Sequence, residues 1–526
     1  MVVTARYEGA ALAAGCLVAA GLVVVATSRY GPGLTPDSMA YVSTAKSLAS
    51  GGGFQDHADQ PLVHFPPLYP MLLAPAVSLG ATALSVVRGV NALCAAGIVV
   101  VGFCIVRHHI SSAALRLAAL AALVLAGPVL FAARYAWSEA LFLLLLLAAT
   151  YCLEQVLSTE RAAWVVAAAG VVGLACLTRY AGAALILGGV ISLLFTSLPR
   201  RRKVTIVAAF TVISGLPLGI WLVRNLTVAG TATGGRPPSS EGVANNAERA
   251  LSGAGAWLVG DWVPRTVGAS LVVALLLGLA ALLRRSEDRG LIPLAAIAGS
   301  LLGGTVASAS ITAVDAFDDR LLSPLYVPLV ILAFALLDWW ATSWNQARVV
   351  AIAGVWLLAI PAIEVASQTV TAIQVGAGGY AHRDWQESEV MRDLRDQPRT
   401  VPLWTNAPAA VWFLLDEREA KLSPRRHAYR SPDTPTDDIA QLEAALDHGP
   451  VLLAWFDLRA EPYFLAPEEV ATRFQVETVA TAHDGEILAV RSPRRASGFR
   501  RTYHPRLRRG WQSGAASVNP KPPKTP

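Results

Sequence analysis

The chain has 526 residues, 54% of them hydrophobic and only 15% charged. A soluble domain carries about 25% charge, so this composition excludes an ordinary soluble enzyme. The formal charge of +6 is concentrated at one end: residues 491–526 hold ten Lys and Arg and no acid, and subtracting them leaves about −4 for the remainder. The body is therefore not basic, and a nucleic-acid partner is not expected. The tail reads as a disordered basic segment that meets acidic lipid headgroups or nothing.

Apolar runs recur from residue 9 to residue 365, many of them near the length that crosses a hydrocarbon core of ~30 Å. Eleven spans are expected, at 9–27, 84–106, 114–131, 138–156, 163–178, 182–197, 204–224, 268–283, 291–309, 321–340 and 348–365. The first has no small-residue cleavage site and reads as an uncleaved span. The pair within 163–197 is short for two crossings and reads as short shielded helices or a re-entrant hairpin. Clustered positive charge falls between spans two and three (Arg107, Arg116), six and seven (Arg200 to Lys203) and eight and nine (Arg284, Arg285, Arg289). Cytoplasmic loops carry that excess. The N-terminus is then cytoplasmic, and loops 28–83 and 225–267 are outside with everything past 366.

Within loop 28–83, residues 37–50 and 66–80 read as interfacial helices. Residues 231–256 are rich in Gly, Ala, Ser, Pro and Asn and read as a flexible stretch. The segment 366–490 forms a separate outer domain. Inside it, helix-like runs (Asp384–Leu394, Asp437–Asp447) alternate with strand-like ones (Val401–Thr405, Val451–Phe456, Val476–Thr481, Ile487–Val490), the pattern of a small α/β fold. The fold class is an α-helical polytopic membrane protein with a small extracytoplasmic C-terminal α/β domain. The five cysteines all lie in apolar runs, so neither disulfides nor thiolate metal sites are expected. There is no P-loop and no dinucleotide fingerprint.

Asp37 lies where the chain first leaves the membrane. It reads as a solvated acid, as a helix N-cap, or as a carboxylate at a helix N-terminus that accepts a proton from an acceptor hydroxyl. Asp56, His57, Asp59 and His64 place four ionisable groups in nine residues. They read as a polar loop or as ligands of a divalent cation, although their spacing matches no defined metal motif. Arg134, Arg179, Arg224 and Arg320 stand at outer ends of spans, where positive charge is disfavoured. They read as snorkelling anchors, as ion-pair partners (Arg320 with Asp318 or Asp319), or as a grip on a phosphate-bearing headgroup. Glu139 opens the fourth span and reads as a helix-dipole partner or a pocket residue.

The run Asp37-Ser38-x-x-Tyr41-x-x-x-Ala45-x-x-Leu48-x-x-Gly51, followed by Pro66-Pro67-Leu68-Tyr69-Pro70, resembles the first outer loop of the C-type glycosyltransferase superfamily. The similar branch holds protein O-mannosyltransferases and the aminoarabinose transferase of lipid A. Ser138-Glu139-Ala140-Leu141-Phe142, Thr178-Arg179-Tyr180, Trp221-x-x-Arg224-Asn225, Asp319-Arg320-x-Leu322-x-Pro324 and Trp404-Thr405-Asn406-Ala407-Pro408 look like later landmarks of bacterial members. The resemblance implies a sugar donor on polyprenyl phosphate, used on the outer side of a bacterial plasma membrane. It implies Asp37 as base of an inverting transfer, and Arg179 and Arg320 on the lipid phosphate. Asp56 or Asp59 would supply a second acid, with a spacing unlike the acid pairs of the mannosyltransferases. His64, Tyr69, Glu139 and Arg224 complete the expected substrate-binding set. The acceptor is open among lipid, protein and polysaccharide. No cofactor is required, with a divalent cation left open. A flippase for a lipid-linked sugar is the alternative, although the two halves lack the symmetry of a transporter.

Overall fold

The computed structural model describes residues 2–239, 241–260, 263–285, 289–312, 319–344, 347–427 and 436–492. The chain divides into two units, Met1–Arg383 and Asp384–Pro526. The basic tail, Ser240, Asp261, Trp262, Asp318 and the side chains of Arg284, Arg285 and Asp319 lie outside the described residues.

The first unit is built from helices. In chain order they are α1 (Val2–Ala26), α2 (Pro36–Ala49), α3 (Leu68–Ser78), α4 (Ala83–His109), α5 (Ala113–Val124), α6 (Gly127–Ala133), α7 (Glu139–Thr159), α8 (Ala162–Thr178), α9 (Ala183–Leu194) and α10 (Arg200–Ala229). Then follow α11 (Val243–Val259), α12 (Arg265–Arg285), α13 (Leu291–Ile311), α14 (Asp319–Trp344) and α15 (Ala347–Val375). Eight stretches among the described residues are long and apolar enough to cross a membrane, and the shorter apolar helices include Ala162–Thr178, Tyr180–Leu194 and Arg265–Gly278. Together these eleven coincide with the expected spans, so the chain is a multi-pass membrane protein. The third span is interrupted between α5 and α6. Pro128 has no N–H to continue the ladder and its ring crowds the preceding turn. The doubtful stretch 163–197 is two helices. The chain breaks at Arg179, whose backbone is extended (φ −148°, ψ 141°), before a 3-10 turn at Tyr180–Gly182.

Charged side chains gather at both ends of the helices. At one end, Arg116 donates to Glu8 at 2.6 Å and Glu154 meets His109 at 3.2 Å. There too the Asp338 carboxylate accepts from the backbone N–H groups of Ser111 and Ser112. Arg289 reaches the carbonyl of Phe195 at the same end. The opposite ends of the helices carry Asp37, Glu139, Arg179, Arg224 and Arg320.

Both expected interfacial helices form, as α2 and α3. The cap of α2 is Thr35, not Asp37: its hydroxyl accepts from Ser38 N–H, Pro36 supplies a preset φ, and Asp37 is the acid of the first turn. The expected flexible stretch 231–256 is corrected from Val243 onward, where α11 forms. Its small residues let it pack closely on α12, where Gly255 and Gly268 bring their backbones together with no room for a Cβ on either.

The start of the first outer loop is held by backbone pairing. Gly33 N–H donates to Arg134 O (2.8 Å) and Ala136 N–H to Gly33 O (2.9 Å). On the other side Leu34 N–H donates to Gly378 O (3.2 Å) and Tyr380 N–H to Leu34 O (2.8 Å). Gly379 sits in the left-handed region (φ 59°) against Leu34, a position that only glycine fills without strain. This three-segment ladder fixes Thr35 to Asp37 beside Trp137 to Glu139.

The second unit contains α16 (Arg383–Gln386, begun on the last residue of the first unit), α17 (Glu389–Arg395), α18 (Pro408–Leu414), α19 (Asp438–His448) and α20 (Pro467–Arg473). Its sheet comprises β1 (Leu403–Thr405), β2 (Lys421–Leu422), β3 (Val451–Phe456), β4 (Gln475–Ala482) and β5 (Gly485–Arg491), in the order β2-β1-β3-β5-β4. β1 is parallel to β2 and β3, and β5 is antiparallel to β3 and β4. β3 is buried at every position, as its unbroken apolar run requires of a central strand. Trp404, Leu442, Leu446, Leu453, Phe474 and Leu488 form the core. The Trp404-Thr405-Asn406 motif is structural here: the Asn406 amide donates to Phe456 O and Arg459 O and accepts from Phe456 N–H, tying β1 to the end of β3.

Candidate active site

Two carboxylates and two guanidinium groups meet at the helix ends opposite those that carry Glu8 and Asp338. Arg320 donates from Nη2 to Asp37 Oδ2 at 2.6 Å and from Nε to Glu139 Oε1 at 2.7 Å. Arg179 donates from Nη1 to the same Glu139 oxygen at 2.5 Å. Four residues far apart in sequence thus form one chain of charge: Asp37, Arg320, Glu139, Arg179. The formal charges cancel. Each residue is placed by a helix terminus: Asp37 in the first turn of α2, Glu139 in the first turn of α7, Arg179 just past α8 and Arg320 at the start of α14.

Exposure separates the two acids. The Glu139 side chain is 0% exposed and that of Asp37 is 33% exposed. Glu139 is sealed beneath two cations, as a buried carboxylate must be. Asp37 meets solvent. Glu139 holds both arginines through one oxygen.

Aromatic residues form the wall. The Arg320 guanidinium lies 4.2 Å from the Trp137 ring centre, a cation–π contact that fixes its plane. Tyr135 stacks on Trp137 at 4.0 Å, and the Trp137 indole N–H donates to the Thr35 hydroxyl at 2.9 Å. Tyr41 hydrogen-bonds Ser138 at 3.0 Å, beside Phe65 and Tyr69. Burial pushes the Tyr41 hydroxyl well above its ordinary pKa, so it stays neutral. Trp137 was not singled out from the sequence, although its position two residues before Glu139 was the available signal.

The remaining expected residues stand apart from this charge chain. Asp56 Oδ1 accepts from Ala58 N–H (2.8 Å) and Gln60 N–H (3.0 Å), closing a turn in which Asp59 adopts a left-handed backbone (φ 55°). Among the described residues, Asp56, His57, Asp59 and His64 contribute no group of three ligand atoms within metal-sharing distance. Tyr69 is wholly buried and donates to Asn91 at 3.0 Å, supporting the site from below. Asn91 in turn donates to Ala133 O and Tyr135 O. Arg224 donates to Leu62 O at 2.7 Å and lies over Trp221. With Tyr180, whose hydroxyl donates to Val63 O at 2.6 Å, it clamps the first outer loop rather than joining the charge chain. His64 is exposed, and its backbone carbonyl accepts from Arg236 at 3.1 Å.

Comparison with known proteins follows this geometry. A family model described as dolichyl-phosphate-mannose-protein mannosyltransferase matches residues 64–221, a segment that holds Tyr69, Glu139 and Arg179. No curated protein matches the sequence. Among solved structures, ArnT from Cupriavidus metallidurans in the apo state superposes with a TM-score of 0.61 at 16% identity, covering 92% of this chain and 98% of that one. The same protein bound to undecaprenyl phosphate gives 0.60 at 14% identity, with the same coverage. A mutant of the mycobacterial arabinofuranosyltransferase AftD gives 0.55 at 16% identity, covering 91% of this chain and 41% of that one. The fold is that of the C-type glycosyltransferases, and the resemblance to the ArnT and protein mannosyltransferase branch holds. The matched mannosyltransferase segment spans less than a third of the chain.

Proposed function

We propose that the chain transfers a sugar from a polyprenyl-phosphate donor to an acceptor hydroxyl outside the cytoplasm of a bacterial cell, with inversion at the anomeric carbon. The observation that carries the reading is Arg320, shared between an exposed and a buried carboxylate. In the resting site it neutralises Asp37. A donor phosphate is a stronger, multidentate partner for a guanidinium. On donor binding Arg320 turns from Asp37 to the phosphate, while Glu139 keeps its Nε in place. Asp37 is then free to take the proton of the acceptor hydroxyl as that oxygen attacks the anomeric carbon. The bond from that carbon to the phosphate oxygen breaks, and polyprenyl phosphate leaves with its charge met by Arg320 and Arg179. The ArnT relative bound to undecaprenyl phosphate supports a donor of this class. The matched mannosyltransferase segment supports group transfer over lipid movement.

The test follows a labelled sugar on a polyprenyl-phosphate donor in proteoliposomes. The expected result is label in a new covalent product, with donor binding weakened in Arg320→Gln. Intact labelled lipid moved across the bilayer, with no new product, would establish a flippase instead.

A further inference from the structure

The second unit carries a cluster unrelated to the charge chain. Glu389 opens α17, and His483 and Asp484 form the two-residue turn between β4 and β5. His483 Nδ1 lies 2.9 Å from Glu389 Oε2 and 4.0 Å from Asp484 Oδ1, and one ligand atom from each of the three falls within 4.8 Å of the others. Ligands of a tetrahedral metal at bonds of ~2.0–2.1 Å stand roughly 3.4 Å apart, between the two measured separations.

Asp484 supplies the independent sign. Its side chain is 7% exposed. Oδ1 accepts one long bond from Val390 N–H (3.3 Å), and buried Oδ2 has no hydrogen-bond partner among the described residues. A buried carboxylate oxygen without a donor is costly, and a cation held by both oxygens of this carboxylate would offset that cost.

We propose that Glu389, His483 and Asp484 bind one divalent metal ion of the zinc type, with water completing the shell, and that this ion staples the β4–β5 turn to α17. An imidazole with two carboxylates favours zinc over calcium or magnesium, which take oxygen ligands. The role is structural: the ion joins two segments of one domain that the chain separates by nearly a hundred residues.

The test is titration of Zn²⁺ into the full-length, chelator-treated protein in detergent, read by calorimetry and by thermal unfolding. One saturable site per chain is expected, with a higher unfolding midpoint when loaded. His483→Gln, an exposed change that leaves the core alone, should weaken binding by at least roughly 10- to 100-fold and abolish the midpoint shift. Asp484→Asn should do the same, and Asp37→Asn should leave both unchanged. Absence of a saturable site, or undiminished binding in His483→Gln, would overturn the proposal. Loss in Asp37→Asn instead would assign the ion to the membrane unit and overturn it equally.

Discussion

Glu139 touches two cations through one oxygen, while Oε2 has no hydrogen-bond partner among the described residues. Its replacement by Gln keeps the shape and removes the charge that justifies two partly buried guanidinium groups. Breaking such a pair costs about 3–5 kcal/mol, so Glu139→Gln should unfold at markedly lower temperature and lose donor affinity. Unchanged unfolding and an unchanged KM for the donor would remove Glu139 from its positioning role. Asp37, Glu139, Arg179 and Arg320 were each visible in the sequence as charges at span ends. Their linkage was not, because it depends on which helix termini become neighbours and on the rotamers that follow. Tyr69 shows the converse: its motif marked it for substrate contact, yet nothing in a loop sequence revealed that the ring turns inward onto Asn91.

The loop between the first two spans is the element on which the account turns; Arg224 and Tyr180 hold it, and it carries two histidines, His57 and His64. Burial lowers the pKa of His57, opposed by the charge of Asp56. His64 is exposed as a residue, yet the partial desolvation of its ring lowers its pKa too, helped by Arg236 and opposed by Asp37 and Asp56. A folded-state pKa below the unfolded value of about 6.5 means that the unfolded loop binds protons first. The stability these groups contribute is complete above about pH 6.5 and falls as pH drops through the lowered folded values. Amide exchange over residues 51–65 should therefore quicken as pH falls from 7 to 5, once intrinsic rates are corrected for, and a His57→Gln, His64→Gln protein should lose most of that change. Protection that holds or rises on acidification would contradict the assignment. Helices α2 and α3 were legible from apolar spacing and from prolines at their starts. The ladder joining Gly33 and Leu34 to 134–136 and 378–380 was not, since its partners are more than a hundred residues away. Helix α11 was hidden by glycine and serine, which weaken helix propensity but here permit close packing on α12. Two-residue β2 carries too little pattern to announce a strand.

For the whole molecule, eleven apolar runs were sufficient to locate the spans, because a hydrocarbon core leaves the backbone few alternatives to helix. The strand order of the second unit was not derivable, because β5 inserts between β3 and β4 by long-range pairing. The central claim is that one accessible acid does the chemistry in a site otherwise built to hold phosphate. Its most direct test is Asp37→Asn in reconstituted membranes, with binding of undecaprenyl phosphate and transfer of sugar from a polyprenyl-phosphate donor measured on the same sample. Lipid binding should persist and transfer should fall by roughly 10²- to 10⁴-fold, the range of a lost general base. Transfer at the wild-type rate by a protein that still binds the lipid would contradict the account.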